Sequence, residues 1–363
     1  MRETSGPPYG LWLLPIVVLL ASCSQSDPVN LAAKHLLSRQ LPDGYFRYEF
    51  DLVRGRWSSK NNLVRQAGAA YALAEYLKHR DEQPIRAALG NALQAFSAAS
   101  VSWGNGKLLG EQGDARKAKA GATALALIAG LWYRQVSGDP RFDNDLHAWR
   151  SGLLALRNPD GLFFSYPGSS GESPYSNGEI WLALATHAQT FPQDQGVRAI
   201  LPAVDEAVFE RYGQRAEMGF FHWGLMAAAV RYEVTSAPRL VDFTLTQLDA
   251  FLGELRPIVN RKSNSCYSVE GMVAAMQVLR KSNRAQKTQQ ILQARIEAEM
   301  EKNAALQIPV GAREISLGDE RKLHSPELKR FAGGFLNARD RPQVRIDATQ
   351  HCLSAMLKQR AMN

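Results

Sequence analysis

Five stretches of this chain are small and apolar around their whole circumference: residues 67–70 (Ala-Gly-Ala-Ala), 121–126 (Gly-Ala-Thr-Ala-Leu-Ala), 181–185 (Trp-Leu-Ala-Leu-Ala), 224–229 (Gly-Leu-Met-Ala-Ala-Ala) and 271–276 (Gly-Met-Val-Ala-Ala-Met). A helix that is apolar on every side is buried on every side. Between these stretches lie charged, amphipathic ones, such as 84–98 and 286–304, with a single face to bury. An alternation of wholly buried and one-sided helices describes two concentric layers. Helical periodicity runs almost throughout, with few alternating β-branched runs, which argues against a sheet-based fold.

The spacing predicts helices over 31–39, 62–78, 84–98, 117–136, 141–156, 177–189, 195–212, 222–234, 239–255, 268–281, 286–304 and 347–360. Twelve helices make about six hairpins. The expected fold is therefore all-α, an α/α toroid with inner and outer rings; an open α-solenoid is the alternative. Six pairs close one ring, and no longer array continues, which favours closure. Four aromatic-glycine turns recur, at 42–48, 159–166, 219–223 and 333–335, each followed by an apolar stretch. Residues 166–176 and 307–342 read as irregular segments covering one mouth.

The polar residues that open the inner helices carry the candidate chemistry. They are Asn61, Asn62, Arg65 and Gln66; Lys117 and Lys119; Asn177 and Glu179; His222 and Trp223; Ser268 and Glu270; and Arg345, Asp347, Gln350 and His351. Inner helices that alternate with outer ones run in one sense, so these groups converge on one mouth. Each also has a plainer reading. Asn61 or Asn62, Asn177 and Ser268 suit helix caps, and Glu179 and Glu270 suit first turns, where the helix dipole favours an anion. Arg65 on an otherwise buried helix needs a carboxylate or a bound anion. Asp347, Gln350 and His351 fall at i, i+3 and i+4 on one helix face. They form either an acid/base pair, with Asp347 orienting and charging His351, or a buried polar knot in which Asp347 pairs with Arg65 or Arg345.

The N-terminus reads as an export signal. Arg2 precedes an apolar run over 11–20 that ends in Leu-Ala-Ser-Cys at 20–23, too short to be a dependable membrane span. That ending resembles a bacterial lipobox, which makes Cys23 the lipidated first residue of the mature chain and Ser24 an outer-membrane sorting residue. The expected organisation is a signal over 1–22, a tether over 23–30 and one toroid over 31–363, lipid-anchored in the cell envelope and facing the periplasm. Cys266 and Cys352 then remain, either paired or as two buried thiols. The net charge of +8 stays entirely with the mature chain, since residues 1–22 hold one Arg and one Glu. It favours anionic partners, although solubility alone explains it too. No nucleic-acid module is present.

No cofactor fingerprint, phosphate loop or nucleophile elbow occurs. The seven histidines show no close pairing, and His222 and His351 lack a third spaced ligand, so no metal is expected.

The aromatic-glycine turns, the small-residue helices, Asn-Leu-Val-Arg-Gln-Ala-Gly at 62–68, Ser-Asn-Gly-Glu at 176–179 and the Gly-Gly-Phe…Arg-Ile-Asp…Gln-His run over 333–351 resemble the six-hairpin glycosidase-like superfamily. The last run is somewhat similar to the C-terminal region of glucuronyl C5-epimerases, without an identifiable catalytic tyrosine. The resemblance implies an enzyme acting on a polysaccharide as hydrolase, lyase or epimerase, and some relatives lack activity. In a hydrolase, two of Glu179, Glu270 and Asp347 would flank the glycosidic bond. In a lyase or epimerase, His351 or a tyrosine would remove the proton beside a uronate carboxylate. Gln66, Tyr175, His222, Trp223 and Gln350 would contact sugar, and Arg65 and Arg345 would hold its carboxylates. The alternative function is a non-catalytic lipoprotein that binds a glycan or an envelope protein within an export or assembly system.

Overall fold

The computed structural model describes residues 27–318 and 320–362. Its helices, in chain order, are α1 (Pro28–Leu37), α2 (Leu63–His79), α3 (Gln83–Ala98), α4 (Ala120–Ser137), α5 (Asp143–Leu154), α6 (Pro174–Thr190), α7 (Gln195–Tyr212), α8 (Met218–Thr235), α9 (Pro238–Ala250), α10 (Cys266–Lys281), α11 (Gln286–Ala304) and α12 (Ile346–Met362). A π-helical turn, Phe251–Leu255, continues α9. The even-numbered helices form the inner ring. Each packs on the next, and α12 packs back on α2, which closes it. The odd-numbered helices lie outside, against their neighbours in sequence. The toroid expected from the alternation of helix types is what forms.

Small residues set the inner spacing. A Cβ on Gly178 of α6 would lie 2.6 Å from the Trp223 Cβ of α8, and one on Gly271 of α10 would lie 2.9 Å from the His222 Cα. Neither contact leaves room for a methyl group, so an alanine at either position would push helices apart. One carboxylate buried between the rings is fully matched. Asp205 accepts from the Trp181 indole at 2.8 Å and from both Nε and Nη2 of Arg231.

The strands are β1 (Glu49–Asp51), β2 (Arg56–Trp57), β3 (Ser100–Trp103), β4 (Gly106–Leu109), β5 (Glu314–Gly318), β6 (Arg321–His324), β7 (Leu336–Ala338) and β8 (Arg341–Arg345). One four-stranded sheet, in the order β2-β1-β8-β7, joins the two ends of the ring, with Glu49 paired to Arg345 and Phe50 to Val344. β8 runs straight into α12, so Arg345 ends the strand while Asp347 opens the helix.

Two expectations are corrected here. The 307–342 stretch is only partly irregular: it holds β5, β6, β7 and the start of β8, short strands whose two-residue alternation spans too few residues to stand out. The Gly219 segment is not a turn. It lies inside α8, whereas Gly44, Gly161 and Gly333 do turn, with φ of +86°, +85° and +82°. A run of Gly and aromatics followed by Ala and Leu reads alike in both settings. Cys266 and Cys352 form a disulfide between α10 and α12, with Cα atoms 4.8 Å apart. Among the described residues, no helix is long and apolar enough to cross a membrane. The signal segment and Cys23 lie outside the described residues.

Candidate active site

The mouth at which the inner helices begin holds a cavity of about 370 Å³. Of the residues singled out in the sequence, Arg65, Tyr175, Glu179, His222, Trp223, Arg345, Asp347, Gln350 and His351 line it. They come from α2, α6, α8, β8 and α12, which confirms that the helix starts converge.

His351 is the best-positioned acid/base group. Its Nδ1 lies 2.7 Å from Oε2 of Glu270, whose side chain is wholly buried. Burial pulls the His351 pKa down, but the charge and hydrogen bond of Glu270, aided by Asp347, outweigh it and the net shift is upward. With Nδ1 engaged, Nε2 is the nitrogen free to exchange a proton. Glu270 therefore does not face the cavity as the sequence led us to expect. It sits behind His351 and orients it, because residues four apart in α10 put Cys266 and Glu270 on the side that packs on α12.

His222 lies beside this pair. Its ring centroid is 5.6 Å from that of His351 and 4.8 Å from that of Trp223, and its Nδ1 is buried without a partner. Burial, with the charges of His351 and Lys358, lowers its pKa well below the usual range, so its imidazole is neutral. Donor atoms of His222, Glu270 and His351 lie within 4.8 Å of one another. The third ligand that sequence spacing lacked is thus supplied in space by Glu270, across the ring rather than along the chain.

Glu179 is buried in α6, and among the described residues nothing hydrogen-bonds to it. A Cβ on Gly121 of α4 would lie 2.0 Å from its Oε2, so this glycine makes its space. Burial raises its pKa to about 8, which leaves a carboxylic acid at neutral pH. Asp347 differs. Arg345 grips both its oxygens, with Nε at 2.8 Å from Oδ1, and Arg65 Nε stands 3.5 Å from Oδ2. Both arginines lie over the ring of Tyr48, and Arg345 also reaches Glu49 at 3.8 Å. Site and polar knot prove to be one structure: Asp347 lines the cavity and is paired with both cations.

Several expected roles do not hold. Gln66 is buried off the cavity, accepting from Phe46 N at 2.6 Å and donating to the Phe46 carbonyl at 2.9 Å, so it brackets the first aromatic turn. Asn62 does cap α2, through Arg65 N at 3.0 Å. Asn177 and Ser268 do not cap, because α6 and α10 begin earlier, after Ser173 and Ser265. Asn177 instead fixes the second turn, accepting from Phe163 N at 3.1 Å and donating to the Tyr212 hydroxyl. Gln350 does reach the cavity, and its Oε1 is unpartnered.

The cavity also includes Tyr267, Asn264 and Asn337, which sequence reasoning missed. Tyr267 stands 5.6 Å from the His222 ring and takes a hydrogen bond from Arg256. It immediately precedes Ser268, so a search one residue wider would have found it. Asn337 lies on β7 and left no signal in the sequence.

No protein-family model matches the chain, and no curated protein matches it in sequence. Solved structures do match its shape. An alpha-1,6-mannanase from Salegentibacter sp. HEL1_6 superposes with a TM-score of 0.66 at 9% identity, covering 93% of this chain and 100% of that one. The chain shares the α/α-toroid fold of that structure. An unsaturated glucuronyl hydrolase specific for heparin gives 0.65 at 10% identity, over 92% of this chain and 96% of that one. The cellobiose 2-epimerase from Spirochaeta thermophila gives 0.62 at 13%, over 92% and 95%. At these identities the likeness concerns the ring itself, and the site must be read from its own residues.

Proposed function

We propose that this protein is a carbohydrate-active enzyme of the cell envelope that removes a proton beside the carboxylate of a uronate-type polysaccharide, as a lyase or epimerase. The observation that carries this is the His351–Glu270 dyad on the cavity wall. Neutral His351, holding its Nδ1 proton toward Glu270, takes the substrate proton on Nε2. The positive charge that develops on the ring is met by the buried carboxylate 2.7 Å away. Protonated Glu179 is the acid available, to a leaving oxygen in a lyase or to the carbanion in an epimerase, while His222, held neutral, has no acidic proton to give. Arg65, the more loosely held partner of Asp347, is the cation placed to take a substrate carboxylate. Tyr175, exposed at the rim, offers a ring face to a sugar, whereas Trp223 is buried against Tyr71 and His222.

The three shape-similar proteins act on carbohydrates according to their names, two as hydrolases and one as an epimerase, so the fold accommodates either chemistry. A hydrolase would draw on Glu179 as its acid. Export and lipidation at Cys23 are supported by the lipobox-like ending and by the Cys266–Cys352 disulfide, which suits an oxidising compartment. A Cys23→Ser variant is expected to leave the membrane fraction.

Product analysis on alginate, pectate and heparin fragments separates the readings. The proposal expects an unsaturated uronate or an inverted centre, lost in His351→Asn. New reducing ends without unsaturation, retained in His351→Asn but lost in Glu179→Gln, would make it a hydrolase. Binding without turnover would leave the non-catalytic reading.

A further inference from the structure

Away from the cavity, where α5, the end of α6 and the start of α7 meet, His147, His187 and Asp194 bring donor atoms within 4.8 Å of one another. His187 is completely buried, yet both of its ring nitrogens lack a hydrogen-bond partner, and Nδ1 of His147 is also buried and unpartnered. Three orphaned imidazole nitrogens in one place are costly, since each buried polar atom without a partner loses about 1–3 kcal/mol. Buried polar groups of native proteins are otherwise nearly all satisfied. The two rings meet edge to face at 5.6 Å, and Phe191 packs against both, at 4.9 and 5.1 Å, so the spot is walled by apolar surface.

We propose that His147, His187 and Asp194 bind a divalent transition-metal ion of the zinc class, as a structural site that pins an outer helix to the inner ring. Two imidazoles and a carboxylate are the donor set that zinc accepts, with a water or a further protein atom in fourth place. Asp194 Oδ2 lies 4.0 Å from His187 Nδ1. Donors around tetrahedral zinc stand about 3.4 Å apart, so closing on an ion needs only a small rotation of the two rings. Arg150 fits as the outer partner. Its Nη2 stands 3.2 Å from Asp194 Oδ2, and Asp194 Oδ1 accepts from Val197 N at 3.3 Å, so the carboxylate is held in place from both sides. The site joins α5, α6 and the start of α7, and an ion there would bind the folded ring but not the separated helices.

The test uses the tag-free mature chain, stripped with a chelator and titrated with zinc, and with cobalt for its visible spectrum. The expected result is one tightly held equivalent, a tetrahedral cobalt spectrum and a melting temperature several degrees higher. All three should be lost in His147→Gln and His187→Gln and kept in His351→Asn. His147 is only half buried, so its variant folds even where the His187 variant does not. No tight equivalent, or one that persists in His147→Gln, would overturn the proposal. So would loss of the equivalent in His351→Asn, which would place the ion in the cavity with His222 and Glu270.

Discussion

The two mouths of the ring are alike in size and opposite in chemistry. The far mouth, where the inner helices end, holds a cavity of about 390 Å³ lined by Tyr71, Glu75, Trp132, Met226 and Lys358, among others. Two of its three ammonium groups meet carboxylates, and the third, Lys78, lies over the Trp132 ring at 4.6 Å. Lys358 donates to Glu75, to the Tyr71 hydroxyl at 3.1 Å and to Ser354 at 2.6 Å, and Lys281 meets Glu233 at 2.7 Å. Lysines also suit this end because the helix C-termini carry the negative end of the dipole. At the near mouth, Glu179, His222 Nδ1 and Gln350 Oε1 are buried and unmatched. Tyr71 divides the two, 5.5 Å from Trp223 on one side and 5.0 Å from Trp132 on the other. The ring closes one end with ion pairs and leaves the other chemically open, which is where a substrate has something to gain.

Breaking each end should therefore have opposite consequences. His351→Asn is expected to lower turnover by about 100-fold to 10,000-fold with little change in melting, as loss of a general base does; steady-state kinetics and a thermal melt check both. Lys358→Met at the far mouth should do the reverse. It strands the buried Glu75 carboxylate and costs about 3–5 kcal/mol in denaturant unfolding, while the folded fraction keeps its activity.

Replacing Cys266 and Cys352 with serine should cost about 2–5 kcal/mol. It should also depress activity, because the disulfide ties α10, which carries Glu270, to α12, which carries His351. Stability lost at full specific activity would separate the clamp from the dyad. The smallest effect concerns Glu179. Its pKa rises from 4.5 to about 8 on folding, so folding favours the protonated form. Below pH 4.5 it is protonated folded and unfolded and costs nothing. Between pH 4.5 and 8 the unfolded chain ionises first, and the protein loses stability as pH climbs, up to a few kcal/mol. Glu179→Gln should abolish that slope, and parallel pH–stability curves for the two proteins would refute the assignment.

The fold was legible because the all-round apolar stretches leave a helix nowhere to go but an inner layer, and the twelve expected helices differ from the observed ones by a few residues. The converging mouth was legible for the same reason. What sequence could not show is which polar group faces which. Glu179 and Glu270 look alike in the sequence, each two residues past an expected helix start, yet one enters the cavity and the other stands behind His351. That distinction is set by the rotation of α6 and α10 about their axes, which glycines such as Gly121 and Gly178 decide through close contacts. The β-sheet that carries Arg345 was missed because its strands are two to five residues long.

The most direct test of the account is solvent-deuterium exchange, followed by NMR on uronate oligosaccharides in heavy water with the native enzyme, His351→Asn and Glu270→Gln. The account predicts loss of the hydrogen beside the carboxylate with the native enzyme, none with His351→Asn, and slower exchange with an altered pH profile for Glu270→Gln. Turnover by the native enzyme with that hydrogen fully retained, or exchange undiminished in His351→Asn, would contradict it.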